Sequence, residues 1–193
     1  MRGVIAVSLL LVTLAALPLQ GHIAVPADFR EVVADASLIV RGRVTDVRSI
    51  AVPGGGIDSV ATVAIDTVLK GQASGFVYVR VPGGQIGRTR VVMIGAPTFR
   101  VGQRSVLFLR RIGTETAFRP VGLTMGVYGV QSEPATRRLV VQPPIVAGRN
   151  AAATGPIVRG DRARKAMPVA EFESLVRLVV ATPPGRAVGR GGR

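Results

Sequence analysis

Ser37-Leu38-Ile39-Val40-Arg41-Gly42-Arg43-Val44-Thr45 places Leu38, Val40, Gly42 and Val44 on one parity and Ile39, Arg41, Arg43 and Thr45 on the other. That period of two predicts a half-buried strand over 37–50. Gly42 marks a bulge or sharp coil within it, which a long first strand needs if it is to serve two sides of a small barrel. Just upstream the period differs. Residues 26–36 read as a short helix, with Pro26 in its first turn and Asp28 and Glu31 at its positive end. Phe29, Val32, Val33 and Ala36 share the face that would lid the sheet.

Downstream of the first strand, Pro53 and Gly54-Gly55-Gly56 predict a flexible hairpin loop over 52–58. A second strand over 59–69 follows, with Ala61, Val63 and Ile65 on one side and Lys70-Gly71 at its close. Residues 75–81 alternate again, Phe76 and Tyr78 against Val77, Val79 and Val81, until Pro82-Gly83-Gly84 ends the ladder. A further strand is expected at 88–94. The turn-rich stretch 96–104 should cross the structure and plug it with Phe99. The uninterrupted run Val106-Leu107-Phe108-Leu109 makes 105–111 the most deeply buried strand. Short strands at 117–121, 128–131 and 138–141 complete an all-β region, the last two as a hairpin. Residues 143–167 lose all period and read as a flexible linker, 168–181 as an amphipathic helix burying Val169, Phe172, Leu175, Val176 and Val179, and 182–193 as a disordered basic tail.

Residues 1–24 have the form of a secretory signal, with Arg2 as the positive start, an apolar run over 4–17 and a break at Pro18. Cleavage after Gly21 or after Ala24 both fit. The run is shorter than the ~20 residues a spanning helix needs, so no stable membrane span is expected once the signal is removed. The expected location is secreted or periplasmic.

The 193 residues hold 48% apolar side chains, no Cys, one His and a formal charge of +14. An apolar fraction of this size is enough for a core, so disorder over most of the length is excluded. Without Cys there is no disulfide framework, Cys zinc site or thiol nucleophile. The basic residues are all Arg except Lys70 and Lys165. So large a charge attracts polyanions, although an Arg, Ala, Gly and Val bias is also what a GC-rich genome produces without selection for a ligand.

The pattern Ser37-Leu38-Ile39-Val40-Arg41-Gly42-Arg43-Val44, Val68-Leu69-Lys70-Gly71, Pro82-Gly83-Gly84 and Gly95-Ala96-Pro97-Thr98-Phe99-Arg100-Val101-Gly102-Gln103 resembles a group of exported bacterial proteins of unknown function. More distantly, over about residues 27–131, it is similar to the netrin-like OB barrel of the tissue inhibitors of metalloproteinases. The resemblance implies a mainly β fold: a small OB-like barrel over 25–142 with a short N-terminal helix and a C-terminal amphipathic one. In those inhibitors a cysteine at the mature N-terminus chelates the protease zinc. This chain has no such cysteine, so the resemblance carries the fold and not the inhibitory mechanism. It also points to a secreted protease as one kind of partner.

Nucleophilic catalysis needs a nucleophile, a base and an orienting group, and with His22 as the only His no Ser-His-Asp set can be built. Ser-Lys pairs would have to use Lys70, expected in a solvated turn, or Lys165 in the linker. Asp46, Asp58 and Asp66 are the carboxylates to consider for glycosidic or metal work; Asp58 beside the Gly-rich turn reads as a turn residue. The glycines of Gly83-Gly84-Gln85-Ile86-Gly87 precede an expected strand rather than a helix, so they read as a tight crossing and not a phosphate cradle. From 80 to 119 there are eight Arg against Glu115 alone, interleaved with Tyr78, Phe99, Phe108 and Phe118. On an OB-like barrel that could stack single-stranded nucleic acid, a partner that export disfavours.

The sequence therefore points to an exported, non-enzymatic binding or inhibitor-like module for an extracytoplasmic protein or envelope partner. No catalytic residue, metal or cofactor is assigned. The candidate binding residues are Arg80, Arg88, Arg90, Arg100 and Arg104. One alternative is a polyanion-binding envelope protein using the same arginines; another is a hydrolase using carboxylates or a Ser-Lys pair.

Overall fold

The computed structural model of the chain describes residues 28–134, 136–144 and 165–182. The expected signal, most of the expected linker and nearly all of the expected tail lie outside them. The fold is mainly β, with one helix near each end of the described residues.

Helix α1 (Phe29–Asp35) starts where Asp28 accepts from the Arg30 amide and Glu31 accepts from the Asp28 amide, a reciprocal cap. Phe29, Val32, Val33 and Ala36 are all buried, as the 3.6 period requires. At its other end Lys70 Nζ donates to the carbonyls of Val33 (2.7 Å) and Ala34 (3.1 Å), which the helix leaves unpaired. Lys70 is therefore a helix clasp and not the solvated turn residue expected. Burial pulls its ammonium below the usual lysine range, with Asp35 opposing.

Strands β1 (Leu38–Val52) and β2 (Gly56–Lys70) form one long antiparallel hairpin. The expected loop at 52–58 is shorter than its Gly and Pro content suggested. Gly54 and Gly55 make the turn at positive φ, and the ladder resumes at once through Val52↔Gly56, Ala51↔Ile57 and Ile50↔Asp58, because Ile57 and Asp58 are buried. Register shifts fall between Ile39 and Val40, between Arg41 and Gly42, and between Val44 and Asp46, so the strand is irregular at Gly42, where a bulge or sharp coil was expected. A Cβ there would stand 2.4 Å from the Ala64 carbonyl oxygen and 2.8 Å from Val63. Gly42→Ala should therefore cost about 2–3 kcal/mol, read as a lowered denaturant midpoint with an unchanged m-value.

Beyond β2 the chain adds β3 (Phe76–Pro82), the short pair β4 (Gly84–Ile86) and β5 (Thr89–Val91), then β6 (Arg104–Arg111), β7 (Phe118–Pro120), a 3-10 turn (Leu123–Gly126), β8 (Val127–Ser132), β9 (Leu139–Gln142), β10 (Met167–Pro168) and helix α2 (Val169–Ala181). The strand expected at 88–94 is only three residues long and pairs with β4 alone, outside the main sheet. β10 and the 3-10 turn were not anticipated; Met167, expected in the linker, is a buried strand residue paired with Val141.

The main sheet runs β1-β2-β3-β7-β6-β8-β9-β10, and β6 pairs with β1 as well. Following the pairings from β1 through β2, β3, β7 and β6 leads back to β1, with β3 and β7 meeting in parallel at Val79↔Phe118. Two apolar clusters result. One is built from alternate residues of the paired strands, including Leu38, Val40, Val79, Leu107 and Leu109, together with Phe99, the buried plug the sequence predicts. The other lies between the opposite face of the sheet and the two helices, around Phe29, Phe108, Tyr128 and Phe172. Val106-Leu107-Phe108-Leu109 contributes in turn to each cluster and is wholly buried, so an unbroken apolar run was needed there. The same two-sided burial accounts for Ile39, which was expected on the polar parity and is fully buried under the helices.

Candidate binding face

The five arginines predicted to form one face stand in three places. Arg80 is used structurally. Its Nε donates to Asp58 Oδ2 at 2.7 Å and its Nη1 to Glu115 Oε2 at 3.3 Å, tying β2 and β3 to the connection after β6. The hydrogen bond to Asp58 raises the guanidinium above the ordinary arginine value. Asp58 is thus a buried partner and not the turn residue expected, and its carboxylate is already occupied by a cation.

Arg88 and Arg90 are exposed on the β4–β5 hairpin. That hairpin rests on the far half of the β1–β2 ribbon, where the Gln85 amide donates to Ser49 Oγ at 3.1 Å and Ser59 Oγ donates to the Gly83 carbonyl at 2.7 Å. The glycines do what the crossing needs. Gly83 and Gly87 have φ of +98° and +56°, and a Cβ on Gly84 would meet Ser49 Oγ at 2.7 Å.

Arg100 and Arg104 flank a tight turn held to β1 by the Gly102 amide on the Val44 carbonyl (2.8 Å) and the Val44 amide on the Gln103 carbonyl (2.9 Å). Arg104 stands directly across from Arg43 in the β1–β6 ladder. Arg43 was not among the predicted residues. Both are exposed, and no ion pair forms at either one or at Arg100 among the described residues. Like charges directly opposite destabilise a ladder, so the pair is held at a cost in stability. Beside it opens a cleft of about 450 Å³ lined by Gly102, Gln103, Arg104, Gln131, Ser132 and others. Arg43 and Ser49 are separated by about 20 Å of strand at ~3.3 Å per residue, so the hairpin arginines do not join this group.

Two other arginines make contacts within the fold, Arg41 and Arg111. Arg41 Nε reaches Glu173 of α2 at 2.7 Å and its Nη1 reaches Asp66 at 3.5 Å. Arg111 lies over the Phe118 ring, 4.7 Å from its centroid. Arg110 and Arg119 are a second cross-strand pair, and neither lines the cleft beside Arg104. Of the four aromatics considered for stacking, Phe99, Phe108 and Phe118 are core, leaving Tyr78 beside the exposed Phe76 on β3. Asp46 and Asp66 are exposed, and Asp66 is on Arg41, so the carboxylates considered for hydrolysis do not converge in a pocket. No group of three His, Cys, Asp or Glu able to hold a metal occurs among the described residues. No helix among them is long and apolar enough to cross a membrane.

Comparison with protein-family models, with curated proteins and with solved structures finds no match to this chain.

Proposed function

We propose that this chain is an exported, non-enzymatic binding module, an OB-like and netrin-like barrel, that holds an acidic extracytoplasmic protein or anionic envelope polymer on the face around Arg43, Arg100 and Arg104. The barrel reading draws on the circuit of pairings, whose five strands meet in the order first, second, third, fifth, fourth, first, with the third and fifth parallel, as in an OB barrel. The binding reading is carried by one observation: two exposed arginines face each other across a ladder with no carboxylate paired to either, and one of them, Arg104, lines an open cleft.

Poly-L-glutamate serves as the acidic probe. Its affinity should fall steeply with added salt, and Arg43→Ala with Arg104→Ala should weaken it roughly tenfold, about 1.4 kcal/mol. The same change relieves like-charge repulsion, so folding stability should stay level or rise by roughly 0.2–1 kcal/mol. A double variant that bound the probe as tightly as the parent would remove this face from the function. So would affinity indifferent to salt.

A further inference from the structure

The loop after β5 exposes Val92 (71%), Met93 (49%) and Ile94 (96%), with Ile86 of β4 also exposed at 42%. The backbone that carries these side chains is tied down on both sides. On one side, Val91 is paired with Gly84 in the β4–β5 ladder. On the other, the Met93 carbonyl accepts from the Ala96 amide, and the Gly95 carbonyl accepts from Thr124 Oγ1 at 2.7 Å. Gly87 at φ +56° occupies the first of the two turn positions of the hairpin and presents Arg88 at its tip. Arg88 and Arg90 are exposed, and no acidic residue lies between Asp66 and Glu115 in the chain.

We infer that the loop after β5, with the β4–β5 hairpin beside it, docks on the surface of an anionic lipid bilayer, Val92 and Ile94 entering the acyl boundary while Arg90 and, further along the hairpin, Arg88 stay among the headgroup phosphates. Three contiguous exposed apolar side chains are matched by a surface that is apolar a few ångströms below its charges. Guanidinium groups on flexible stems suit the same boundary, because the stem can lie in the apolar layer with the charge at the phosphates. A two-fold contact between copies would bring these arginines against their own kind, so the charge favours the bilayer over a second chain. The site is separate from the Arg43–Arg104 face and does not depend on it.

The absence of cysteine makes the test specific to the loop. Full-length chain carrying Ile94→Cys, labelled with an environment-sensitive fluorophore, is mixed with vesicles of phosphatidylcholine containing phosphatidylglycerol, or of phosphatidylcholine alone. Leu178→Cys, exposed on α2, is the comparison. A blue shift and severalfold brightening at position 94 on the anionic vesicles alone, absent at position 178 and lost in Arg88→Ala/Arg90→Ala, is the expected result. The comparison discounts any attachment made elsewhere in the chain, because only insertion of this loop changes the label at 94. No shift at 94, equal shifts at both positions, or a full shift on phosphatidylcholine alone would overturn the inference. A shift that grows with protein concentration without vesicles would overturn it in favour of self-association.

Discussion

Phe172→Ala should destabilise the fold by about 3–5 kcal/mol, the usual cost of truncating a fully buried aromatic. Phe172 is wholly buried on α2, with its ring 5.0 Å from Tyr128, 5.8 Å from Phe29 and 6.4 Å from Phe108 between centroids. Those partners come from α1, β6 and β8, so one side chain of α2 holds together elements from both ends of the described residues. Edge and tilted contacts of this kind add about 0.5–1.5 kcal/mol each beyond area burial. Removing the ring also loosens the segment that carries Glu173 to Arg41 at 2.7 Å. Thermal unfolding followed by near-ultraviolet circular dichroism should show a midpoint lowered by roughly 10 °C, at ~2–4 °C per kcal/mol for a domain of this size. An unfolding midpoint within about 2 °C of the parent would mean that α2 packs on the sheet only loosely.

The next largest effect is expected at Asp58. Asp58→Ala leaves the Arg80 guanidinium, itself mostly buried, with only the longer contact to Glu115. Breaking a buried ion pair from one side costs ~3–5 kcal/mol, and the remaining partner places this case near about 3 kcal/mol. Arg80→Met added to Asp58→Leu should recover most of that loss, because a matched apolar pair no longer strands a charge. Chemical denaturation of Asp58→Leu, Arg80→Met and the double variant provides the cycle. Additive losses would mean that the pair is not coupled, and that Arg80 is available to a ligand after all.

The fold was legible wherever burial follows a local period. The helical face of Phe29, Val32, Val33 and Ala36, the alternation of Val77, Val79 and Val81, and the Val106–Leu109 run are stated by the sequence and are buried in the structure. Gly42 was legible as an irregularity because a glycine inside an alternating strand has few other uses. What could not be read was register between distant strands, since a period of two fixes a face and leaves the partner open. Pairing Arg43 with Arg104, or Arg80 with Asp58 and Glu115, requires knowing which residues meet across long separations. For that reason a single arginine face in sequence became three separate groups, and Arg43 was missed. Ile39 was assigned to the polar parity because nothing local says that α1 and α2 cover that side. The Val92–Ile94 loop was taken for strand because apolar content alone does not distinguish a paired run from an exposed, unpaired one.

The central claim is that the molecule binds acidic partners on the surface around Arg43, Arg100 and Arg104. Amide chemical shifts followed by two-dimensional NMR during titration with poly-L-glutamate test it most directly. The account predicts perturbations concentrated at Arg43, Arg100, Gly102, Arg104 and the Gln131–Ser132 side of the cleft, with Asp58, Val60 and Val79 unmoved. Perturbations spread evenly over all exposed arginines, or centred away from the cleft, would contradict it.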